Sequence, residues 1–206
     1  MDLNSPEIFS DESTNTLKSS DSPFDLPLRI ESLPSEKDLH KFLKCVERII
    51  RTSVEYRFWI SFITTALGNT KCKLTHEQMS ETNIEIHHHP INLYTICKAV
   101  VNNKINAKEL FCTFDIATEV IELHFQNKVG YIPLLSDLHN KFHEGFLDLP
   151  MELVSGEYKE ILKDYSIDDE DLQRIHSLCG IKAKDVKSIN WSKDDYPGIN
   201  DLREAI

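Results

Sequence analysis

The stretch EKDLHKFLKCVERIIRTSVEYRFWISFITTALG, residues 36–68, constrains the fold most. Leu39, Phe42, Leu43, Val46, Ile49 and Ile50 recur there at helical spacing. That period gathers apolar side chains on one side of an α-helix, which must then be buried against other elements. Ser35 followed by Asp38 marks the start, since a serine oxygen can accept from the first orphaned amides. Gly68-Asn69 marks the stop. Thr52-Ser53 is expected to divide the run into two helices, and Phe58, Trp59, Phe62 and Ile63 make the second apolar enough for a central core.

Further along, INLYTICKAVVNNKINAKELFCTFDIATEVIELHFQNK reads as two more helices, with Asn92 and Thr113 as N-caps and VNNKIN separating them. One half carries a stripe of Leu93, Ile96, Cys97 and Val100. The other carries Phe114, Ala117, Val120, Ile121 and Leu123. SDLHNKFHEG is a short helix closed by Gly145, and GEYKEILKDY and DDEDLQRIHSLCG supply two amphipathic helices. Extended signals are few. KCKLTHEQMSETNIEIHHHP reads as a hairpin with strands near 71–75 and 83–88, ended by His89-Pro90 because proline lacks the ladder donor. VGYIPL is a short extended entry to the HxxxH helix. The fold class is therefore α+β and mostly helical, a small hairpin and helix wrapped by longer helices.

The 206 residues suffice for one compact domain with loose ends. Residues 1–34 are rich in Ser, Asp, Asn, Glu and Pro, the composition of a disordered or loosely docked acidic arm, within which SPFDLPLRIESL can dock locally. Residues 35–150 form the main domain, with a helical insert at 92–127. Residues 151–206 form an acidic helical extension. The chain has a net charge of −11, unlike the basic footprint of most nucleic-acid binders. The two ends hold most of that acidity. Residues 36–80 carry eight bases against five acids, so any nucleic-acid contact uses that segment or a metal ion. Five cysteines with no CxxC pair argue against a disulfide framework or a cysteine zinc knuckle. No apolar run is long enough for a membrane span, and the N-terminus has neither a basic nor an apolar leader region. The expectation is a cytoplasmic protein without membrane contact.

Two histidine clusters carry the chemistry. NIEIHHHPIN places His87, His88 and His89 at a strand end, where alternation sends His87 and His89 to one side and His88 to the other. YIPLLSDLHNKFHEG places His139 and His143 four apart on a helix, so both imidazoles share a face and can bind one divalent ion. His40, His76, His124 and His176 read as packing or surface residues. Glu85 reads as a strand-surface carboxylate, with orientation of a histidine as the alternative. DDED at 168–171 reads as a solvated first helical turn.

Glu85-Ile86-His87-His88 resembles the E-L-H-H of the HNH endonuclease superfamily, in the form found in nuclease colicins. YIPLLSDLHNKFHEG resembles that family's second half, an apolar strand followed by H-x-x-x-H-x-G. The resemblance covers about residues 70–90 and 129–146. Phage genomes commonly encode proteins with such segments, which points to a viral origin and, for localisation, the host cytoplasm. The resemblance implies a ββα-metal unit in which His87, His139 and His143 bind one divalent ion and His88 is the general base that activates water. An all-imidazole set favours zinc over magnesium, with manganese or nickel as other candidates.

Two departures from the family stand out. Gly130 occupies the position of the family's central Asn, and some forty residues of helix separate the two motifs. Residues 83–150 contain no Arg. Two functions follow as expectations. One is a metal-dependent endonuclease hydrolysing DNA phosphodiesters. The other is a catalytically silent HNH-like phage protein that binds or regulates a protein or nucleoprotein partner, through the N-terminal arm or the acidic C-terminal region.

Overall fold

The computed structural model describes residues 28–76 and 84–179. The first of its helices, α1 (Glu36–Thr52), begins at Ser35, whose Oγ accepts from the Asp38 amide at 3.2 Å. Ser53 closes it and opens α2 (Val54–Ser61), with its Oγ accepting from the Tyr56 amide at 3.0 Å. One residue thus splits the long apolar run where Thr52-Ser53 suggests. The chain continues through a π-helical turn at Phe62–Ala66 and reverses at Gly68, whose φ of +68° suits glycine.

The insert is ordered as two helices, α3 (Leu93–Ala107) and α4 (Thr113–Phe125). Asn92 caps α3 by accepting from the Thr95 amide at 2.8 Å. At α4 the cap is Cys112 rather than Thr113, because the Asp115 carboxylate reaches back to accept from the Cys112 amide at 2.9 Å. Leu43, Val46 and Ile50 of α1, Ile96 and Val100 of α3, and Ile116 and Val120 of α4 are fully buried in one cluster. Each such aliphatic side chain contributes about 1.5–3 kcal/mol relative to exposure. Phe114 departs from its expected stripe and is exposed.

The strands differ from the expected local hairpin. Strand β1 (Ile84–His88) pairs antiparallel with β2 (Tyr131–Leu135), so the partners lie on either side of the helical insert. The 71–75 segment instead lies on the outer edge of β2, where the Lys73 amide donates to the Pro133 carbonyl at 2.9 Å. The all-apolar β2 is buried along its whole length and is the stronger partner for β1. Pro133 is tolerated because its backbone polar groups face away from β1, so its missing amide removes no bond to that strand. The expected turn between the 71–75 and 83–88 segments lies outside the described residues.

Helix α5 (Ser136–His143) follows β2 directly and stops at Gly145, φ +79°. Two short helices complete the described chain, α6 (Lys159–Asp164) and α7 (Asp169–Cys179). Ile161 and Ile175 from these helices join the main cluster, so the 151–179 segment shares the core of the helices before it. At the other end Ile30 bridges Phe111, and Arg29 meets Asp115 at 3.0 Å. The rest of the predicted arm, residues 1–27, lies outside the described residues.

Candidate metal centre

Strand register decides which way each histidine points. Directly opposed residues of an antiparallel pair share a face. His87 opposes Ile132 and Glu85 opposes Leu134. Ile132 and Leu134 are buried in a second cluster with Leu138 of α5, so Glu85 and His87 face α5. His88 opposes Tyr131, which belongs to the helical core, and so His88 faces α2 and α4.

On α5, His139 and His143 present adjacent imidazoles with Nε2 atoms 3.0 Å apart. The His87 ring lies 4.9 Å from that of His139 and 5.3 Å from that of His143, between centroids. One ligand atom from each of the three lies within 4.8 Å of the others. Phe142 packs edge-on against His87 at 4.5 Å and closes the apolar side of the trio. The structure thus brings together the three histidines expected to share an ion.

Electrostatics keep two of the donors available. Burial, reinforced by His139 and His89 nearby, pushes the His87 pKa far below its ordinary value. Burial also lowers His143, with His139 adding to the effect. Neutral imidazoles have a free lone pair, and an all-nitrogen set fits zinc or a similar transition metal. His87 is buried, whereas His139 is partly exposed and His143 is exposed, so the trio is open to solvent on one side.

Glu85 was expected as a strand-surface carboxylate, with orientation of a histidine as the alternative. Its Oε2 lies 2.6 Å from His139 Nδ1. A carboxylate there accepts the Nδ1 proton and leaves the lone pair on Nε2, which faces His143. The signal was present in the sequence, since Glu85 precedes His87 by two and so shares its strand face.

His88 does point away from the ligand side, but among the described residues it is buried in the core rather than beside an open groove. It is 6% exposed, and its ring lies near-parallel to those of Tyr56 and Trp59, 6.2 and 6.1 Å away. Its Nε2 lies 2.9 Å from His124 Nε2. His124 Nδ1 sits 2.6 Å from the Val120 carbonyl and must donate to it, so its Nε2 accepts and His88 Nε2 donates. Both are held below their ordinary pKa by burial, His124 at about 4. In this position His88 is a buried core hydrogen-bond donor. His124 is the packing residue the sequence suggests.

His89 is also buried, with its ring 5.9 Å from that of His87. It bonds the Leu149 carbonyl, and its Nε2 has no partner among the described residues. Its amide donates to the Gly130 carbonyl at 3.0 Å. That contact explains Gly130: a Cβ there would lie 2.2 Å from the His89 carbonyl oxygen and 3.0 Å from Tyr158 Cβ. The position that holds Asn in the HNH family has no room here for any side chain.

A family model described as bacteriophage G278-like virion protein matches residues 7–196, so the chain belongs to that family. No curated protein and no solved structure shows significant similarity to it. The match makes this a phage protein and carries no nuclease assignment. Among the described residues no helix is long and apolar enough to cross a membrane.

Proposed function

We propose that this virion-family chain holds one divalent transition-metal ion on His87, His139 and His143, and that the ion fastens the β1–β2 ribbon to α5 in a module that binds a partner within the phage particle. The convergence of the three imidazoles from two elements carries the reading. Zinc is the favoured ion on donor type. Cross-linking a strand to a helix by metal adds stability that a sheet of two short strands lacks on its own.

A binding role rather than hydrolysis is supported by the burial of His88 and by the exclusion of a side chain at Gly130. Exposed apolar residues support a protein partner. Val54, Phe58 and Phe62 recur every four residues and are exposed, and Phe58 stacks on Phe125, also exposed, at 6.1 Å. Exposed clusters of this kind mark interaction surfaces.

The second reading is the HNH-type endonuclease acting on DNA. The observation in its favour is the open side of the trio at His139 and His143, where a phosphate oxygen has access. A bound ion supplies Lewis-acid stabilisation of phosphodiester charge. One experiment separates the two. Purified protein is assayed for metal content and then for plasmid cleavage with added Mg²⁺, Mn²⁺, Ni²⁺ or Zn²⁺. The binding reading expects bound metal with intact plasmid. Cleavage that disappears in His139→Ala would replace it with the nuclease. Absence of any bound divalent ion at neutral pH would overturn both.

A further inference from the structure

The solvent ridge of α1 carries a row of cations that the metal centre does not use. Lys37, Lys41, Lys44, Arg48 and Arg51 follow one another at intervals of four, three, four and three residues. On a helix these positions fall within about 80° of arc and extend over about 21 Å. All five are exposed, and they lie opposite the buried Leu43, Val46 and Ile50. No acid occupies the row itself. Lys44 is engaged with Glu47 at 2.8 Å and with the Tyr94 ring. Lys37, Lys41, Arg48 and Arg51 form no ion pair among the described residues.

We propose that this ridge is a contact for the phosphate backbone of double-stranded DNA, read without regard to sequence. Charge complementarity is the argument. A straight row of evenly repeated cations matches a polymer whose negative charges repeat evenly. The five positions include no aromatic side chain on which an unpaired base could stack, which disfavours single strands. Lysine and arginine in an even row suit phosphate contacts, which position a protein on a duplex without reading its sequence. The row persists in a chain of net charge −11. At ~0.1 M salt the acidic remainder is screened beyond about 10 Å, so the ridge acts locally. The inference is independent of the ion and of either reading of the histidines.

The test is fluorescence anisotropy of the full chain with a labelled random-sequence duplex, in EDTA so that metal binding and cleavage do not contribute. The expected result is weak binding, with Kd on the order of 10⁻⁴–10⁻⁶ M that weakens with salt at a log–log slope of about −3 to −4, as for four phosphates. Lys41→Gln and Arg48→Gln should each flatten that slope by about 0.9, and Lys159→Gln on α6 should leave it unchanged. The surface substitutions spare the core, and circular dichroism checks that the variants fold. Three results would overturn the proposal: no binding at low salt, equal binding by wild type and a variant with Lys37, Lys41, Arg48 and Arg51 all changed to Gln, or tighter binding of polyglutamate than of the duplex at matched charge. The last would assign the ridge to an acidic protein.

Discussion

His88 donates from Nε2 to His124 Nε2 across 2.9 Å inside a box of Tyr56 and Trp59. The bond joins β1 to α4, so it ties the ribbon to the helical core. Removing His88 leaves the His124 lone pair buried without a donor and opens a cavity. The two effects together make His88→Ala destabilising by about 2–4 kcal/mol in urea unfolding. Metal content of the folded variant should match wild type, because His88 faces away from the trio. A variant as stable as wild type would show that the pair adds nothing.

Acid should destabilise the metal-free protein before the carboxylates titrate. His89 and His124 both have folded pKa values of about 4, lowered mainly by burial. Their unfolded values are near 6.5. Between the two values the unfolded chain binds more protons, so stability rises with pH. It is complete above about 6.5 and falls as pH drops toward 4. At pH 5 each of the two costs about 2 kcal/mol relative to pH 7.5. Denaturation midpoints measured in EDTA across pH 5 to 7.5 read this directly. A flat profile would place these histidines in contact with water.

Much of this arrangement was legible in the chain. Helical stripes placed α1 to α4, and Ser35, Ser53, Asn92 and Gly145 punctuate them by local chemistry that needs no tertiary partner. The HxxxH spacing put His139 and His143 on one helix face, whereas their meeting with His87 was an expectation only of the family resemblance. Strand partnership was not legible. A local hairpin and a ribbon closed across a helical insert bury the same face of β1, and the choice depends on the burial of β2 on both sides. The fate of His88 was lost for the same reason, since alternation gives its side but not what covers that side. Gly130 read as a missing Asn, whereas the close approach of the His89 carbonyl is invisible in sequence.

That approach makes Gly130 a sensitive position. A side chain there must displace the β1 exit by more than an ångström, given the 2.2 Å distance to the His89 carbonyl oxygen. Gly130→Ala should cost about 3 kcal/mol or more, as overpacking does against backbone that cannot move aside. Gly130→Asn should be at least as destabilising and should confer no nuclease activity. Thermal melting and a plasmid assay check the two parts. A stable Gly130→Asn variant would mean that the ribbon shifts to accept the family's residue.

Glu85 and His139 offer the sharpest test of the metal centre. Wild type is expected to bind about one zinc per chain and His139→Ala close to none, by metal analysis after dialysis. Zinc at about 100 times its Kd should stabilise wild type by about 2.7 kcal/mol and leave His139→Ala unmoved. Glu85→Ala separates ligation from orientation. It removes no ligand, but it releases His139 Nδ1 from the carboxylate 2.6 Å away. Zinc affinity should then fall by about 10–100-fold at unchanged stoichiometry. Glu85→Gln, whose amide oxygen can still accept the Nδ1 proton, should lie between the two. Ring nitrogen NMR of the metal-free protein gives an independent reading, with His139 as the Nδ1–H tautomer in wild type and redistributed in Glu85→Ala. If both variants bound zinc as wild type does, Glu85 would be a surface carboxylate that meets His139 without orienting it.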